Sequence, residues 1–591
     1  AFFTHGPKSN GFKYYRNIVN RERKRCKSKY YMTHVHNTEK ENPKAWWNEI
    51  KRLGGMKPTN RSIIHQINID GLEDILEQEL ANRINTAFLG PLAEYQLSLP
   101  LDRVSLEDNP EFLKVSEERV LRHLQKLSSG KSGGPDEVPN WFLREYAVVL
   151  ALPITQILNA SYEQQCLPSI WKFANVSPLP KVKLVQDLKR ELRPISLTPS
   201  ISKVAEDFVV KDYVKPAILK KIDPNQYGTI PQSSTTSALL SMMHNWTSGL
   251  DGTGSTIRVI LFDYQKAFDL IDHRILVNKL LQIDLPRSII NWIIDFLSDR
   301  FQRVKLSQGC YSEWGRVPSG VPQGTKLGPW LFLIMINDLS LTDTDLWKYV
   351  DDTTASETVN KSQQSRAQAI ADEMLQWSQN NKMRLNEAKC KELRISFSKV
   401  PRDFNPILIN DKCVEVVESC KLLGMTINNK LSWNLHIDEV VKKVSKRIYY
   451  LIQLKRANIP LKDLVLFYVT CIRSIIDYGI SVIYYSLPKY LCSELERLQK
   501  RVVRIICPNT NYEEALIICG LELLSVHHDH ICTKLFQTVA AEENHALRTF
   551  LPPTHNCLYD LRNVRKFDIP KCNTKRFQSS FFVASSQKLS T

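Results

Sequence analysis

The chain has 591 residues, a length that favours several domains, and 43% of them are hydrophobic, which is enough for packed cores. A formal net charge of +17 favours a polyanionic partner such as nucleic acid, although a membrane surface would also attract it. The 13 cysteines include no CxxC pair, so a zinc finger is excluded, and reduced intracellular thiols fit better than a disulfide framework.

The first 60 residues are polar and basic, and we interpret them as a linker. Its cations are typical of a nucleic-acid-binding tract, a nuclear localisation signal or a solvated segment, and they cluster at Arg21, Arg23, Lys24, Arg25, Lys27 and Lys29. Apolar residues at helical spacing then predict one helix from Ile63 to Thr86 and a second, beginning at Ser116, from Val115 to Leu127. The first stripe consists of Leu72, Ile75, Leu76, Leu80 and Ile84.

Two strand ends in the middle of the chain carry carboxylates. Val, Ile, Leu and Phe dominate the run from Ile257 to Phe262, which predicts a buried strand ending in Asp263 and followed by a helix from about His273 to Ile283. Between Leu346 and Thr354, apolar residues flank a two-residue polar break. This pattern predicts a tight β-hairpin with Asp351 and Asp352 at its tip.

If the strand lies beside the hairpin, Asp263 faces Asp351. Neighbouring carboxylates in a half-buried site stay ionised only when a cation offsets their charge, and their hard oxygens suit Mg²⁺. Three carboxylates can hold two metal ions about 3.5–4 Å apart, which is the arrangement used for in-line displacement at phosphorus. A lone Asp-Asp pair is usually a solvated turn, so the second acidic strand end is what favours a metal site.

The C-terminal part shows helical patterns. Ile437 to Arg456 has an apolar stripe and a separate basic face, and Leu495 to Ile506 repeats the pattern. Such helices are typical of surfaces that track phosphates, and a solvated face is the alternative. Arg473 and Asp477 interrupt the longest membrane-span candidate, Leu464 to Leu487, so we predict a buried helix followed by a strand. The group His527, His528, His530 and Cys532 fits no standard zinc spacing.

Three long motifs occur in order along the chain: LFDYQKAFDLIDH, SGVPQGTKLGPWLFLIMINDL and KYVDDTT, beginning at Leu261, Ser319 and Lys348. Together they resemble motifs A, B and C of a reverse transcriptase, and the chain is similar to jockey-like non-LTR retrotransposon polymerases from about Gly133 to its end. The resemblance implies an α+β right-hand polymerase (fingers, palm and thumb) with an antiparallel palm sheet and helical N- and C-terminal extensions. The predicted divisions are a basic linker 1–60, a helical extension 61–132, fingers and palm 133–430, a thumb-like basic helical region 431–508 and a C-terminal region 509–591.

The resemblance also implies a set of metal ligands. Asp263 and Asp351 would bind metal directly, Asp352 would support the site, and the backbone carbonyl of Phe262 would add a ligand. The implied cofactor is Mg²⁺, as two ions, with Mn²⁺ as a substitute.

A second implied set binds the incoming dNTP. Lys181 and Arg193 would reach its triphosphate, since Arg offers a fork for phosphate oxygens and Lys a mobile point charge. A ring at Phe268 would lie under the sugar and clash with a 2′-hydroxyl. Gln323 would touch the nucleotide or the template strand, and Lys389 would act as general acid on the pyrophosphate.

Several positions depart from or only approximate the family pattern. The block Gln226-Tyr227-Gly228 is followed by Thr229 where an aromatic residue is usual, and Ser233 replaces an Arg. Val350 stands where Ala is more common. Asn386 and Lys389 resemble motif D, with Lys391 close enough to substitute for Lys389, and the segment 420–424 resembles a primer-gripping hairpin.

The predicted function is an RNA-directed DNA polymerase of a non-LTR retrotransposon that extends a primer 3′-OH on an RNA template with dNTPs. Its predicted partners are the template RNA, the DNA primer and dNTPs, with no membrane, and its predicted location is intracellular, in nucleus and cytoplasm, because no signal peptide is visible. The alternatives are a catalytically inactive remnant that only binds nucleic acid, a group II intron maturase, and an RNA-dependent RNA polymerase. The three carboxylates argue against the first, the chain's end against the second and Phe268 against the third.

Overall fold

The computed structural model describes residues 9–36, 38–56, 63–69, 75–94, 101–307, 309–400, 402–553 and 567–589. The helices of its N-terminal half are α1 Asn10–Tyr30, α2 Thr38–Glu41, α3 Pro43–Gly54, α4 Glu77–Glu94, α5 Glu117–Gln125, α6 Asn140–Glu145, α7 Ala147–Gln164, α8 Leu188–Glu191, α9 Ser200–Val209, α10 Lys215–Lys221, α11 Thr235–Gly249, α12 His273–Leu280 and α13 Arg287–Leu297. Those that follow are α14 Gly328–Ile336, α15 Ala367–Asn380, α16 Asn434–Arg456, α17 Leu461–Phe467, α18 Ser474–Asp477, α19 Ile480–Ile483, α20 Lys489–Ile506, α21 Tyr512–Cys519, α22 Leu524–Ala541, α23 Lys575–Gln578 and α24 Phe581–Leu589.

The strands are β1 Phe173–Pro180, β2 Leu192–Leu197, β3 Thr256–Phe262, β4 Arg300–Ser307, β5 Cys310–Tyr311, β6 Gly315–Val317, β7 Asp345–Tyr349, β8 Asp352–Val359, β9 Lys391–Ser396, β10 Leu408–Ile409, β11 Lys412–Cys413, β12 Glu415–Val417, β13 Ser419–Leu422 and β14 Met425–Asn428. Five of them form the palm sheet in the order β12-β9-β3-β8-β7. Its pairings are antiparallel except that of β12 with β9, which is parallel. The predicted α+β fold is confirmed, with this one parallel edge.

The predicted buried strand is β3, at the centre of this sheet. Its side chains alternate between two cores: Ile257 and Val259 lie in a core shared with the thumb helices, while Ile260 and Phe262 lie in a core shared with α12 to α14. Side chains of a strand point alternately to opposite faces, so burial of both faces requires a continuous apolar run. The run from Val259 to Phe262 is accordingly apolar throughout, whereas the buried Arg258 before it is paired with Glu392 at 2.7 Å.

A second sheet lies on the fingers side of the palm. Its strands are ordered β2-β1-β4-β5, with β6 also paired to β4, and β1 runs parallel to β4. The antiparallel β1–β2 pair places Leu179 opposite Arg193. Both predicted triphosphate cations, Lys181 and Arg193, therefore lie in or directly beside one hairpin.

The segment predicted to be a basic linker contains helices α1 and α3. Trp46, Ile50 and Leu53 are buried in the thumb-side core, and α3 packs against α16. The apolar residues recur at helical spacing, whereas Lys51 and Arg52 are exposed. Basic composition concealed this amphipathic pattern, and the linker interpretation is corrected for these residues.

The predicted N-terminal helices exist with different bounds. A 3₁₀ turn covers Ile63–Gln66 and α4 begins only at Glu77, where Leu80 and Ile84 are buried but Leu76 is 81% exposed. Leu72 lies outside the described residues. Helix α5 begins after Ser116, whose hydroxyl accepts a hydrogen bond from the backbone N–H of Arg119.

The apolar segment near residue 470 is helical on both sides of a turn at Tyr478 and Gly479. Leu461–Ser486 forms one helical stretch that is long and apolar enough to cross a membrane, and half of its most apolar window is buried inside the protein. It contains α17, α18 and α19. The prediction of a strand after the helix is wrong, because Ile480–Ile483 continues as a helix after the left-handed Gly479.

The C-terminal segment 567–589 folds back onto the palm. The Asp251 carboxylate accepts hydrogen bonds from the backbone N–H groups of Asn573 and Thr574, each 2.7 Å long, and from the Thr574 hydroxyl. Phe581 and Phe582 are then buried in the thumb-side core. The palm and this segment therefore share one core.

Candidate active site

The motif C hairpin turns through Val350 and Asp351. Tyr349 pairs with Asp352, so Asp352 is the first residue of β8 and the two turn residues are Val350 and Asp351. The predicted tip, Asp351-Asp352, is shifted by one residue. Val350 has a φ of 59°, a left-handed conformation that is rare for a β-branched residue. Asp351 therefore lies in the turn, whereas Asp352 is held in the first pair of the β7–β8 ladder.

Strand pairing brings the motif A carboxylate to this turn. Phe262 lies opposite Thr353 in the β3–β8 ladder, so Asp263 follows β3 directly beside the Asp351-Asp352 step. The backbone carbonyl of Asp263 accepts a 2.7 Å hydrogen bond from the N–H of Asn386, which fixes the end of the strand. The sequence's central expectation, that distant carboxylates meet at one strand edge, holds in this register.

The electrostatics of the site follow from this clustering. Both side chains of the motif C pair open onto solvent, yet the surrounding cleft desolvates them. Burial raises the pKa of Asp351, and the charge of Asp263 adds to the rise. Burial, together with the charges of Asp351 and Asp263, raises the pKa of Asp352 to about 6. Bringing these anions together therefore costs free energy that a nearby cation would recover.

Lysine and asparagine side chains partner the Asp263 carboxylate. Lys389 Nζ lies 3.3 Å and Asn386 Nδ2 3.2 Å from the same Oδ2 atom. Among the residues that the structure describes, no group of three or more His, Cys, Asp and Glu side chains is close enough to hold a metal ion. The carboxylates thus share a strand edge without forming a closed ligand cage.

The two predicted triphosphate cations lie near these carboxylates. Burial lowers the pKa of Lys181, and the charges of Lys389 and Arg193 lower it further, so the three cations are near neighbours. Lys181 Nζ donates a 2.8 Å hydrogen bond to the carbonyl of Arg190. Arg193 is exposed and opposes the rise in the pKa of Asp351. Positive charge therefore borders the acidic edge on the side of the β1–β2 hairpin.

Motifs A and B are joined at Phe268 and Gln323. The ring of Phe268 stacks on Phe332 of α14 with centroids 4.5 Å apart. The backbone carbonyl of Phe268 accepts a hydrogen bond from the N–H of Val321. Gln323 Nε2 donates a 2.9 Å hydrogen bond to Asp269, whose pKa is raised by burial. Gln323 is thus held by motif A, a contact that the sequence did not predict.

The motif B loop is fixed by close backbone approach. Gly320 has a φ of 76°, and a Cβ added there would lie 2.3 Å from the carbonyl oxygen of Asp269. Its N–H donates to the carbonyl of Ile271. Glycine is therefore required both for the conformation and for the space.

The thumb presents the predicted basic surface. The predicted stripe residues Ile437, Val440, Val444, Ile448 and Leu451 are buried along α16. The exposed cations of α16 and α20 are Lys442, Lys443, Lys446, Arg456, Lys489, Arg497, Lys500, Arg501 and Arg504.

The histidines of α22 pair with carboxylates of the surrounding fold. His527 and His528 contact Asp477 at 3.1 and 3.2 Å, and His530 contacts Glu522 at 3.3 Å. Cys532 is fully buried. These side chains are therefore engaged in packing and in polar contacts with carboxylates, and within the described part of the chain they belong to no group of metal-ligating residues.

Comparison with protein families identifies the class. The family described as "Reverse transcriptase (RNA-dependent DNA polymerase)" matches residues 179–427, which span the β1–β2 hairpin, the palm sheet and the β13–β14 hairpin. Residues 179–427 are therefore similar to a reverse transcriptase domain. A second family, "Alkylated DNA repair protein alkB homolog 8, N-terminal", matches residues 433–474, which begin just before α16.

Curated relatives narrow the class to mobile-element polymerases. The chain is 25% identical over 433 residues to "RNA-directed DNA polymerase from mobile element jockey" of Drosophila melanogaster, covering 70% of this chain and 45% of the relative. It is 23% identical over 447 residues to "Probable RNA-directed DNA polymerase from transposon X-element" of the same species, covering 74% and 49%. The predicted similarity to jockey-like non-LTR retrotransposon polymerases is confirmed, and the chain spans about half the length of these relatives.

Solved structures of telomerase are also similar. The chain matches telomerase from Candida albicans in complex with a fragment of telomeric RNA at a TM-score of 0.33 and 10% identity, covering 84% of this chain and 92% of that one. Apo telomerase from Candida tropicalis matches at a TM-score of 0.33 and 13% identity, covering 67% and 72%.

Proposed function

We propose that this chain is an RNA-directed DNA polymerase that extends a primer 3′-OH on an RNA template with dNTPs. The observation that carries the proposal is the β3–β8 register, in which Phe262 opposite Thr353 sets Asp263 beside Asp351 and Asp352. Jockey and X-element polymerases, whose names state this activity, support the same interpretation of the domain.

The carboxylates fit a divalent metal site in their chemistry. Their oxygens are hard ligands, and the raised pKa values of Asp351 and Asp352 indicate that the edge lacks sufficient compensating charge within the protein. Asp263 and Asp351 would hold the metal, with Asp352 and the carbonyl of Phe262 in support. Two bound Mg²⁺ ions, or Mn²⁺ in their place, would favour ionisation of the primer hydroxyl and offset charge on the leaving pyrophosphate.

The side chains around the carboxylates handle the nucleotide. Lys181 and Arg193 attract and orient the triphosphate, because both border the acidic edge on one side. Phe268, held against Phe332, excludes a ribose 2′-hydroxyl by its bulk. Lys389 donates a proton to the leaving pyrophosphate, from a position beside Asp263.

The nucleic acid lies along the thumb. Exposed cations of α16 and α20 contact phosphates of the primer–template duplex, while the opposite faces of both helices are buried. The β13–β14 hairpin, which the sequence likens to a primer grip, joins the palm to α16 through the contact of β14 with that helix. Template and primer would thus be held by elements adjoining the carboxylate edge.

Primer extension on poly(rA)/oligo(dT) tests the proposal. Wild-type protein is expected to extend the primer in Mg²⁺ or Mn²⁺, and the double variant Asp351→Ala/Asp352→Ala is expected to lose extension while its RNA affinity remains. RNA binding without extension by the wild type in either metal would favour the alternative, a catalytically inactive remnant.

A further inference from the structure

A short segment outside motifs A, B and C holds the backbone of the motif C turn. Residues 225–228 run parallel to β7: the N–H of Lys348 donates to the carbonyl of Asn225, and the N–H of Tyr227 donates to the carbonyl of Lys348, both at 2.8 Å. Strand β7 is thus paired with β8 on one side and with this segment on the other. We name residues Asn225–Gly228 the turn clamp.

Within the turn clamp, one side-chain oxygen contacts the strained residue itself. Gln226 Oε1 accepts hydrogen bonds from the N–H of Val350 at 3.1 Å and from the N–H of Gly228 at 2.8 Å. Both neighbours are backbone donors, so this orientation of the amide is set by the hydrogen bonds. Gln226 is 4% exposed, and its Nε2 has no partner among the residues that the structure describes. Among the described residues, the side chain of Gln226 therefore forms hydrogen bonds through its oxygen alone.

Close packing reinforces this contact. A Cβ added at Gly228 would lie 2.6 Å from both the backbone nitrogen and Cγ2 of Val350. Gly228 has no need of a left-handed conformation here, so its lack of a side chain serves the approach of the two backbones. The turn clamp therefore touches Val350 through a hydrogen bond and through van der Waals contact.

Lys348 anchors the same strand two residues before Val350. Its side chain is fully buried, pairs with Asp223 at 2.5 Å and donates to the carbonyls of Ile336, Asn337 and Leu339 at the end of α14. Asp223 also accepts the backbone N–H of Gln226 through its carbonyl. Helix α14 of motif B, the turn clamp and β7 are thus fixed to one another directly before the turn.

We propose that Gln226 is a positioning residue for catalysis: its side-chain oxygen holds Val350 in the left-handed conformation that directs Asp351 toward the metal-binding edge. A β-branched residue at this φ is unfavourable by itself, and its conformation persists only where neighbours over-determine it. Carboxylate ligands need close control of position, so loosening of the turn would weaken metal binding and slow the chemical step. This inference rests on the proposed polymerase function, but its first test does not.

Hydrogen exchange measured by mass spectrometry on the peptide covering residues 345–355 tests the contact. Gln226→Met removes the acceptor and is expected to speed exchange at Val350 roughly tenfold, the effect of losing one hydrogen bond. Gln226→Glu keeps an acceptor oxygen and is expected to retain protection. Gln499→Met is the matched control, because Gln499 is also fully buried but bonds Tyr468 and Tyr512 in the thumb. It should lower thermal stability and leave exchange at residues 345–355 unchanged.

Single-nucleotide incorporation tests the catalytic role. Gln226→Met is expected to lower kcat roughly tenfold and raise the half-saturating Mg²⁺ concentration, with KM for dNTP nearly unchanged. In a Val350→Gly background, where a positive φ carries no steric penalty, the same substitution is expected to cost less. Unchanged exchange in Gln226→Met would overturn the proposal even if the wild type proves inactive. Equal losses in the wild-type and Val350→Gly backgrounds would overturn the strain argument, and loss of folding by Gln226→Glu would assign Gln226 a purely structural role.

Discussion

Lys389 Nζ lies 3.3 Å from Oδ2 of Asp263, so the motif A carboxylate pairs with a cation of its own chain. Lys391, the neighbouring candidate for the same role, instead contacts Glu415 at the outer edge of the palm sheet at 3.5 Å. Lys389 lies in the turn before β9, whereas Lys391 is the first residue of that strand. Of these two, Lys389 is the one that contacts Asp263, the proposed metal ligand, so the proposed general-acid role is assigned to Lys389.

Replacing Lys389 therefore separates two effects. Lys389→Met is expected to lower kcat by roughly 10²-fold, through loss of a general acid, and to leave KM for dNTP little changed. The same variant should bind Mg²⁺ more tightly, because a positive charge beside Asp263 is gone. Single-turnover incorporation across an Mg²⁺ titration measures both. Lys391→Met is the matched control and should stay within about twofold of wild type, since an exposed ion pair contributes little. The reverse ranking would transfer the role to Lys391.

Under the proposed function, selection of dNTPs over rNTPs is expected to depend on the ring at Phe268. Phe268→Ala is expected to reduce discrimination against rNTPs by roughly 10- to 200-fold, the range for a steric contact of this kind in a pocket. Competition between dTTP and rUTP on the same primer–template reports the ratio directly. Because the ring also stacks on Phe332, the alanine variant loses packing. Phe268→Tyr keeps the ring and should keep selectivity, and a selectivity unchanged by Phe268→Ala would remove Phe268 from the sugar site.

The pKa of Asp352, raised to about 6, gives a pH dependence with a definite sign. The folded state binds this proton more tightly than the unfolded state, so the stabilising effect of protonation is present below the ordinary pKa and is lost as pH rises through about 6. In EDTA, Asp352→Asn should raise the thermal midpoint at about pH 7.5 and have less effect at about pH 5. Differential scanning fluorimetry at both pH values measures this. With Mg²⁺ at the higher pH, the wild type should have the higher thermal midpoint, because its carboxylate binds the ion. A thermal midpoint of Asp352→Asn below that of the wild type in EDTA would contradict repulsion among the carboxylates.

The buried Lys348 is expected to matter for stability as much as for activity. Lys348→Met leaves Asp223 without its 2.5 Å partner and removes donors from three helix-end carbonyls. Breaking a buried pair from one side costs about 3–5 kcal/mol of unfolding free energy. Urea denaturation followed by fluorescence measures the change. The exposed Lys221 provides the comparison, and Lys221→Met should alter the unfolding free energy by less than about 0.5 kcal/mol. Similar values for both variants would mean that the buried network contributes no net stability.

The sequence located best the carboxylates that stand at the end of an apolar run and that have a second acidic strand end elsewhere in the chain. Asp263 and the Asp351-Asp352 pair stand where apolar runs stop, and the strand register unites them as expected. The one-residue shift of the turn was not predictable, because an apolar Val350 in a left-handed conformation breaks the usual preference for glycine, asparagine or aspartate. Local sequence favours a strand at Val350, and only tertiary contacts impose the turn.

Other features were hidden because their partners are distant in the sequence. Gln226 and Val350 are far apart along the chain, and nothing in either segment signals their hydrogen bond. The contact of Gln323 with Asp269 was missed for the same reason. The interpretation of this segment as a basic linker was wrong for another reason. The helical spacing of Trp46, Ile50 and Leu53 was visible, but the charge of the surrounding residues favoured a linker over a packed helix. A check of periodicity within charged segments would have found α3.

Because both faces of β3 are buried, this chain is expected to tolerate no one-residue deletion within that strand. Loss of a single codon between Thr256 and Phe262 would exchange the residues that face the two cores, and it would also pull Asp263 out of step with its neighbours on β8. One such deletion would abolish folding and chemistry together. Copies of this chain that still fold are therefore expected to retain the spacing of their acidic residues.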